Sequence, residues 1–233
     1  QALKSDTSIE SKFLTKCAYF ICQFFYKIPE RVTTLNFKMK FELEKLGGIT
    51  TIVENVVDTK IFHPLDIKRP PFFKDKFIVM YSGNLGIVYD FDIILNAAKF
   101  LSNFTDIWFI IRGNGEQKEY IRELIKKFNL FNTILDTRIV PISQVSEKLN
   151  MADVCILTQK ATLDPASTFP IKVFEYMAVK KPIIVSAKGS ICDFIQDVNA
   201  GIIVNPNDPS ALVEAILTLF NNPELREKLA KNG

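Results

Sequence analysis

Histidine is nearly absent: His63 stands alone among 233 residues. That scarcity excludes metal sites built on clustered imidazoles and argues against His-based acid/base catalysis, so His63 is read as a linker residue. The four cysteines, Cys17, Cys22, Cys155 and Cys192, show no Cys-x-x-Cys spacing. They are read as reduced thiols of a cytosolic protein rather than as a disulfide framework. No segment reaches the roughly 18 to 20 apolar residues of a membrane-spanning helix. The opening QALKSDTSIES is unlike a signal peptide. A cytoplasmic protein is expected, at most peripheral at the inner face of a membrane. The missing initiator methionine further suggests a fragment. Charge of one sign is also lacking, with 29 Lys and Arg against 26 Asp and Glu. The aromatics fall in apolar runs rather than among basic residues, so nucleic acid is excluded as a partner. The small basic surplus lies in residues 1–77, which carry 13 basic and 9 acidic groups. No internal repeat, low-complexity tract or P-loop is present.

What is present is a core-forming composition, 48% hydrophobic, arranged with a clear period from residue 77 onward. FIVMY (77–81), IWFIIR (107–112), TILD (133–136), DVCILT (153–158), PIIVS (182–186) and GIIV (201–204) read as strands. Helical patterns fall near 89–101, 116–128, 143–151, 170–179 and 189–196, with more helix from 208 to the end. Val/Ile-rich strands alternating with helices predict an α/β, Rossmann-like parallel sheet with helices on both faces. Residues 1–64 differ: an aromatic helix (8–28), a short strand (31–35), an amphipathic helix (37–47) and another strand (50–55) read as the tail of a second domain with its hinge. The proline-rich stretch 65–76 is expected to be a linker, and 77–233 the Rossmann-like domain. The aromatic helix has two readings, core packing against a further part of its domain or peripheral contact with a membrane through residues 9–27.

Ligands of open parallel α/β sheets bind beyond the carboxyl ends of the strands. Three loops there stand out. In SGNLG (82–86), Gly83 and Gly86 allow close backbone approach beside Asn84 and should leave amides pointing outward. RGNGEQKEYI (112–121) makes a tight turn at Gly113, Asn114 and Gly115. The long loop QKATLDPASTFPIK (159–172) enters the stretch STFPIKVFEYMA (167–178). Pro170 suits the first position of a helix. Ile171, Phe174, Met177 and Ala178 would form its buried stripe, with Lys172 and Glu175 on another. The amides of residues 168–171 and Lys172 could hold a phosphate, and Glu175 a pair of ribose hydroxyls. A weak surface ion pair is the alternative for Lys172 and Glu175.

From Val53 onward the chain resembles the donor-binding half of the GT-B glycosyltransferases of family 4. The resemblance rests on ENVVDTKIFHP (54–64), YSGNLG, RGNGEQKEYI, MADVCILT and FPIKVFEYMAVKKPII, in that order. It implies a GT-B carboxyl-terminal domain with a remnant of the acceptor-binding domain, and a transfer that retains anomeric configuration with no cofactor and no metal. The implied partners are a UDP- or GDP-sugar donor and a glycan or lipid-linked acceptor. Glu175 matches the second glutamate of the family's Glu-x7-Glu motif, implied to hold the donor ribose, but Ser167 stands where the first should be. Ser167, Thr168 and Phe169 are expected to touch the donor sugar, with Pro170 and Ile171 following. Backbone around Gly113 and Val140 would contact the base. Asn84 and Tyr89 replace an Arg and a Lys that many members use to grip the diphosphate. That leaves Lys172 as the expected catalytic cation, with Lys160 or Arg112 as candidates to help. These departures are similar to those of the subgroup transferring N-acetylfucosamine in bacterial surface polysaccharide assembly. A UDP-sugar epimerase or a nucleotide-binding domain without turnover are the competing readings.

Overall fold

A computed structural model describes residues 9–53, 55–162 and 169–233. The chain divides into two compact units at Asn55 and Val56. The first holds α1 (Ile9–Lys27), β1 (Val32–Thr34), α2 (Phe37–Lys45) and β2 (Thr50–Ile52). The side chain of Asn36 caps α2 by accepting the Met39 amide at 2.8 Å. β1 and β2 pair in parallel, Val32 opposite Thr50, with α2 as the crossover. In α1, Leu14, Phe20, Phe24 and Phe25 are all exposed. Among the described residues no helix is long and apolar enough to cross a membrane.

The second unit is a six-stranded parallel sheet in the order β5-β4-β3-β6-β7-β8. Its strands are β3 (Phe77–Ser82), β4 (Ile107–Arg112), β5 (Thr133–Asp136), β6 (Val154–Thr158), β7 (Ile183–Ser186) and β8 (Gly201–Val204). Each lies within a residue of its expected place, because a strand buried on both faces reads as an unbroken apolar run. The helices are α3 (Phe91–Phe100), α4 (Lys118–Lys127), α5 (Ile142–Asn150), α6 (Lys172–Ala178), α7 (Ser190–Val198), α8 (Pro209–Asn221) and α9 (Pro223–Asn232). One core lies between the sheet and α3, α4 and α8, built on Phe91, Phe109 and Ile216. The other lies on the opposite face, built on Ile78, Leu157 and Tyr176. The strand order reverses between β3 and β6, where a doubly wound sheet opens its crevice.

Two expectations need correction. The stretch read as hinge and linker is packed: Phe62, 3% exposed, joins the second core, with Ile61, Ile67 and Phe73 against it. Asn150 ties the stretch down, donating to the His63 carbonyl at 3.0 Å and accepting the Leu65 amide at 2.8 Å. Prolines fix an extended path here without preventing the apolar residues between them from being buried. The second correction is α6, which begins at Lys172 rather than Pro170. Its buried stripe is Lys172, Val173, Tyr176 and Val179, while Ile171 is half exposed. Hydropathy had placed Ile171 inside and Lys172 outside. The spacing fits either stripe, and the rings waiting on β3 decide between them.

Candidate functional site

Strand register builds the site. Ser82 on β3 lies opposite Arg112 on β4, and Arg112 opposite Asp136 on β5. The chain then turns after each strand in the same way. The Gly83 amide donates to the Arg112 carbonyl at 2.9 Å and the Gly113 amide to the Asp136 carbonyl at 3.0 Å, each extending the ladder by one step. A Cβ at Gly113 would stand 1.7 Å from the Gly83 carbonyl oxygen, so only glycine fits. The two loops are joined again where the Leu85 amide donates to Asn114 and the Gln117 side chain donates to the carbonyls of Gly86 and Tyr89. The amides of Gly83, Leu85 and Gly113 thus hold the loops together. The expectation that Gly83 offers its amide outward is overturned.

Above these turns lies an open cleft of about 310 Å³. It brings together Gly83, Asn84, Gly113, Asn114, Val140 and Glu175, all singled out in the sequence. Ser82, Arg112, Arg138, Ile139, Ile142, Val145 and Phe62 complete its lining. Gly86 and Gly115 serve loop packing instead: a Cβ at Gly115 would lie 2.6 Å from the Leu85 backbone. Phe169 packs in an aromatic trio with Phe174 and Phe194, ring centroids 5.3 to 5.6 Å apart. Pro170 is buried and Ile171 faces outward. Ser167 and Thr168 lie outside the described residues. Of the amides of residues 168–171 expected to face an anion, Pro170 has none and Thr168 lies outside the described residues.

Lys172 is 5% exposed and lies directly beneath Gly83, where a Cβ would meet its Cε at 2.9 Å and its Nζ at 3.0 Å. The surface ion-pair reading is therefore overturned. Its ammonium donates to the Tyr81 hydroxyl and sits 4.2 Å from the Tyr81 ring centroid and 3.5 Å from that of Tyr89. Tyr81 in turn donates to the Asn84 carbonyl at 2.6 Å, linking the lysine to the glycine loop. Burial brings the Lys172 pKa down to about 7, with the nearby Glu175 carboxylate opposing the shift. Burial likewise raises the Glu175 carboxyl, and Lys172 pulls it back. Tyr176 holds the end of β3 with one hydroxyl, accepting the Ser82 amide at 3.0 Å and donating to the Ser82 carbonyl at 2.8 Å.

Sequence reasoning missed Tyr81, Tyr176 and Arg138. A usable signal existed for the tyrosines. Both stand in segments already marked as strand end and site helix, and a buried tyrosine hydroxyl needs a partner. Nothing local in DTRIVP distinguishes Arg138. Among the described residues, no group of three or more His, Cys, Asp or Glu side chains could hold a metal ion.

A six-stranded doubly wound sheet with a cleft over its switch point defines a nucleotide-binding type of α/β domain. Residues 63–233 match the family Glycosyl transferases group 1, and the chain belongs to that family. It is 23% identical over 160 residues to alpha-D-kanosaminyltransferase of Streptomyces kanamyceticus, covering 68% of this chain and 40% of that one. Sucrose-phosphate synthase of Thermosynechococcus elongatus superposes with a TM-score of 0.74 at 19% identity, over 100% of this chain and 58% of the other. HepE of Anabaena, solved with UDP and glucose, gives a TM-score of 0.74 at 15% identity over 95% of this chain and 62% of the other. The chain thus spans less than two thirds of the length of each. These likenesses agree with the GT-B, Rossmann-like parallel sheet expected from the sequence.

Proposed function

We propose that this chain carries the donor-binding half of a retaining glycosyltransferase. The enzyme moves a sugar from a UDP- or GDP-sugar to a glycan or lipid-linked acceptor in bacterial surface polysaccharide assembly. The observation that carries the reading is Lys172, a buried cation set directly under the Gly83 turn, with Glu175 lining the cleft one helical turn on. In the transfer, the bond from the anomeric carbon to phosphate breaks and the diphosphate leaves with the electron pair. The acceptor hydroxyl forms the new bond and gives up its proton. Stabilising the departing diphosphate is the main electrostatic task of this half. Lys172 supplies the charge that Asn84 and Tyr89 do not. Glu175 can accept hydrogen bonds from ribose hydroxyls. The reaction in this reading is metal-independent and cytoplasmic, with the aromatic α1 helix available for peripheral contact with a membrane. The kanosaminyltransferase and the UDP- and glucose-bound HepE are consistent with a nucleotide-sugar donor.

A domain that binds nucleotide without turnover has one observation in its favour: the Lys172 ammonium is already held by protein groups. Calorimetric titration of the chain with UDP, GDP and UDP-N-acetylhexosamines tests the donor site. One diphosphate is expected to bind, at least about tenfold more weakly to Lys172→Ala and Glu175→Ala, a loss equal to about 1.4 kcal/mol. Binding that both substitutions leave unchanged would refute the assignment. Sugar transfer by the full-length protein separates an enzyme from a binding domain.

A further inference from the structure

Arg112 is 5% exposed, and its Nε is buried with no hydrogen-bond acceptor among the described residues. The closest carboxylate oxygen, Asp136 Oδ2, lies 3.8 Å from Nε. Asp136 is instead occupied by Arg138, whose Nε and Nη2 reach it at 2.7 and 3.0 Å. A buried guanidinium with unmet donors is costly unless something else meets them. Arg112 lines the donor cleft, so a ligand can do so.

Its place in the sheet indicates which part of the ligand. Lys172 and Glu175 follow β6, on one side of β3. Arg112 ends β4, on the other side, beside the turn after β5 and the start of α5, which supply Ile139, Val140, Ile142 and Val145 to the cleft. Apart from the two arginines and Asn114 that flank is apolar, which suits a flat heteroaromatic ring better than a phosphate. Resting on the donor-site reading above, we infer that Arg112 reads the nucleobase by donating to a ring carbonyl, and that Arg138 positions it by keeping Asp136 engaged. A ring carbonyl accepts from a guanidinium, and guanine adds N7 beside O6 to match the arginine fork, whereas adenine carries an amino group in place of that carbonyl. The shared chemistry is the ring carbonyl of uracil or guanine. Backbone contacts alone would leave base choice without this side-chain signature.

The test is calorimetry of the chain and of Arg112→Met with UDP, GDP, ADP and inorganic pyrophosphate, with a thermal melt confirming that the variant is folded. The wild type is expected to prefer UDP or GDP over ADP by roughly tenfold to a hundredfold. The variant should bring that ratio to within about threefold while pyrophosphate affinity stays the same. Whichever of UDP and GDP binds more tightly identifies the base. An equal loss of pyrophosphate affinity would assign Arg112 to the phosphates and overturn the inference. So would a preference that survives the substitution, and in that case the donor site stands as long as Lys172→Ala and Glu175→Ala still weaken binding. If neither UDP, GDP nor pyrophosphate binds, the donor-site reading falls and the inference with it. Should the variant fail to fold, Arg112→Lys replaces the fork with a single-point donor and is expected to lose most of the base preference.

Discussion

Two buried cations have opposite surroundings: Lys172 lies under the Gly83 turn without lining the cleft, and Arg112 lines it. Lys172 is wrapped: a hydroxyl accepts from it, two aromatic faces cover it, and a carboxylate lies a turn away. Arg112 is equally shielded, yet its Nε has no partner. Burial by itself therefore says little about what a charge does. A cation whose donors are met by the protein is being positioned. One whose donors are unmet is either a loss to the fold or is completed by a ligand.

The largest effect expected from breaking this comparison is on turnover. Lys172→Met should lower the rate of sugar transfer by the complete enzyme about a hundredfold, the loss typical of removing one donor to a developing oxyanion, read as kcat. Gly83→Ala comes next, because its φ of +146° is strained for any side chain and its Cβ would displace the Lys172 tip. It should cost about 1–3 kcal/mol in a denaturant melt and also weaken diphosphate binding.

The third effect is a pH dependence set by Lys172. A bound diphosphate favours the charged ammonium, so above the Lys172 pKa of about 7 binding must take up a proton. Affinity should then fall by up to about tenfold per pH unit between pH 7.5 and 9, where the terminal phosphate is already ionised, and Lys172→Met should be flat. The stability sign is consistent with this. From about pH 7 up to the ordinary lysine value of 10.5, the unfolded chain holds a proton that the folded one lacks, so folding becomes more favourable as pH rises. The smallest effect belongs to Arg112→Met. Its Nε lacks a hydrogen-bond acceptor and its ion pair with Asp136 is a loose 3.8 Å, so removing the charge should change stability of the free chain by no more than about 1 kcal/mol. A large loss on denaturant unfolding would mean that Arg112 holds the fold together after all.

The two compact units differ in how much of them could be read beforehand. In the second, apolar runs marked the strands, most plainly the four inner ones, β3, β4, β6 and β7, which are buried on both faces. In the first, the same kind of reading placed α1, β1, α2 and β2, but the exposed aromatics of α1 carry no signal for what covers them.

The sequence by itself determined the doubly wound class, the order of its elements and the loops at the carboxyl ends of the strands, since these follow from local periodicity and glycine placement. It also marked Lys172 and Glu175 as a pair of interest. Only the tertiary structure decided that Lys172 turns inward between Tyr81 and Tyr89, that the Gly83 and Gly113 amides are each spent on the end of the neighbouring strand, and that residues 56–76 pack against the second core. It likewise left the Arg112 Nε without a hydrogen-bond acceptor among the described residues. Each of those facts depends on residues tens of positions apart meeting across strands. Spacing along a chain records which face a side chain takes, but not what is waiting on that face.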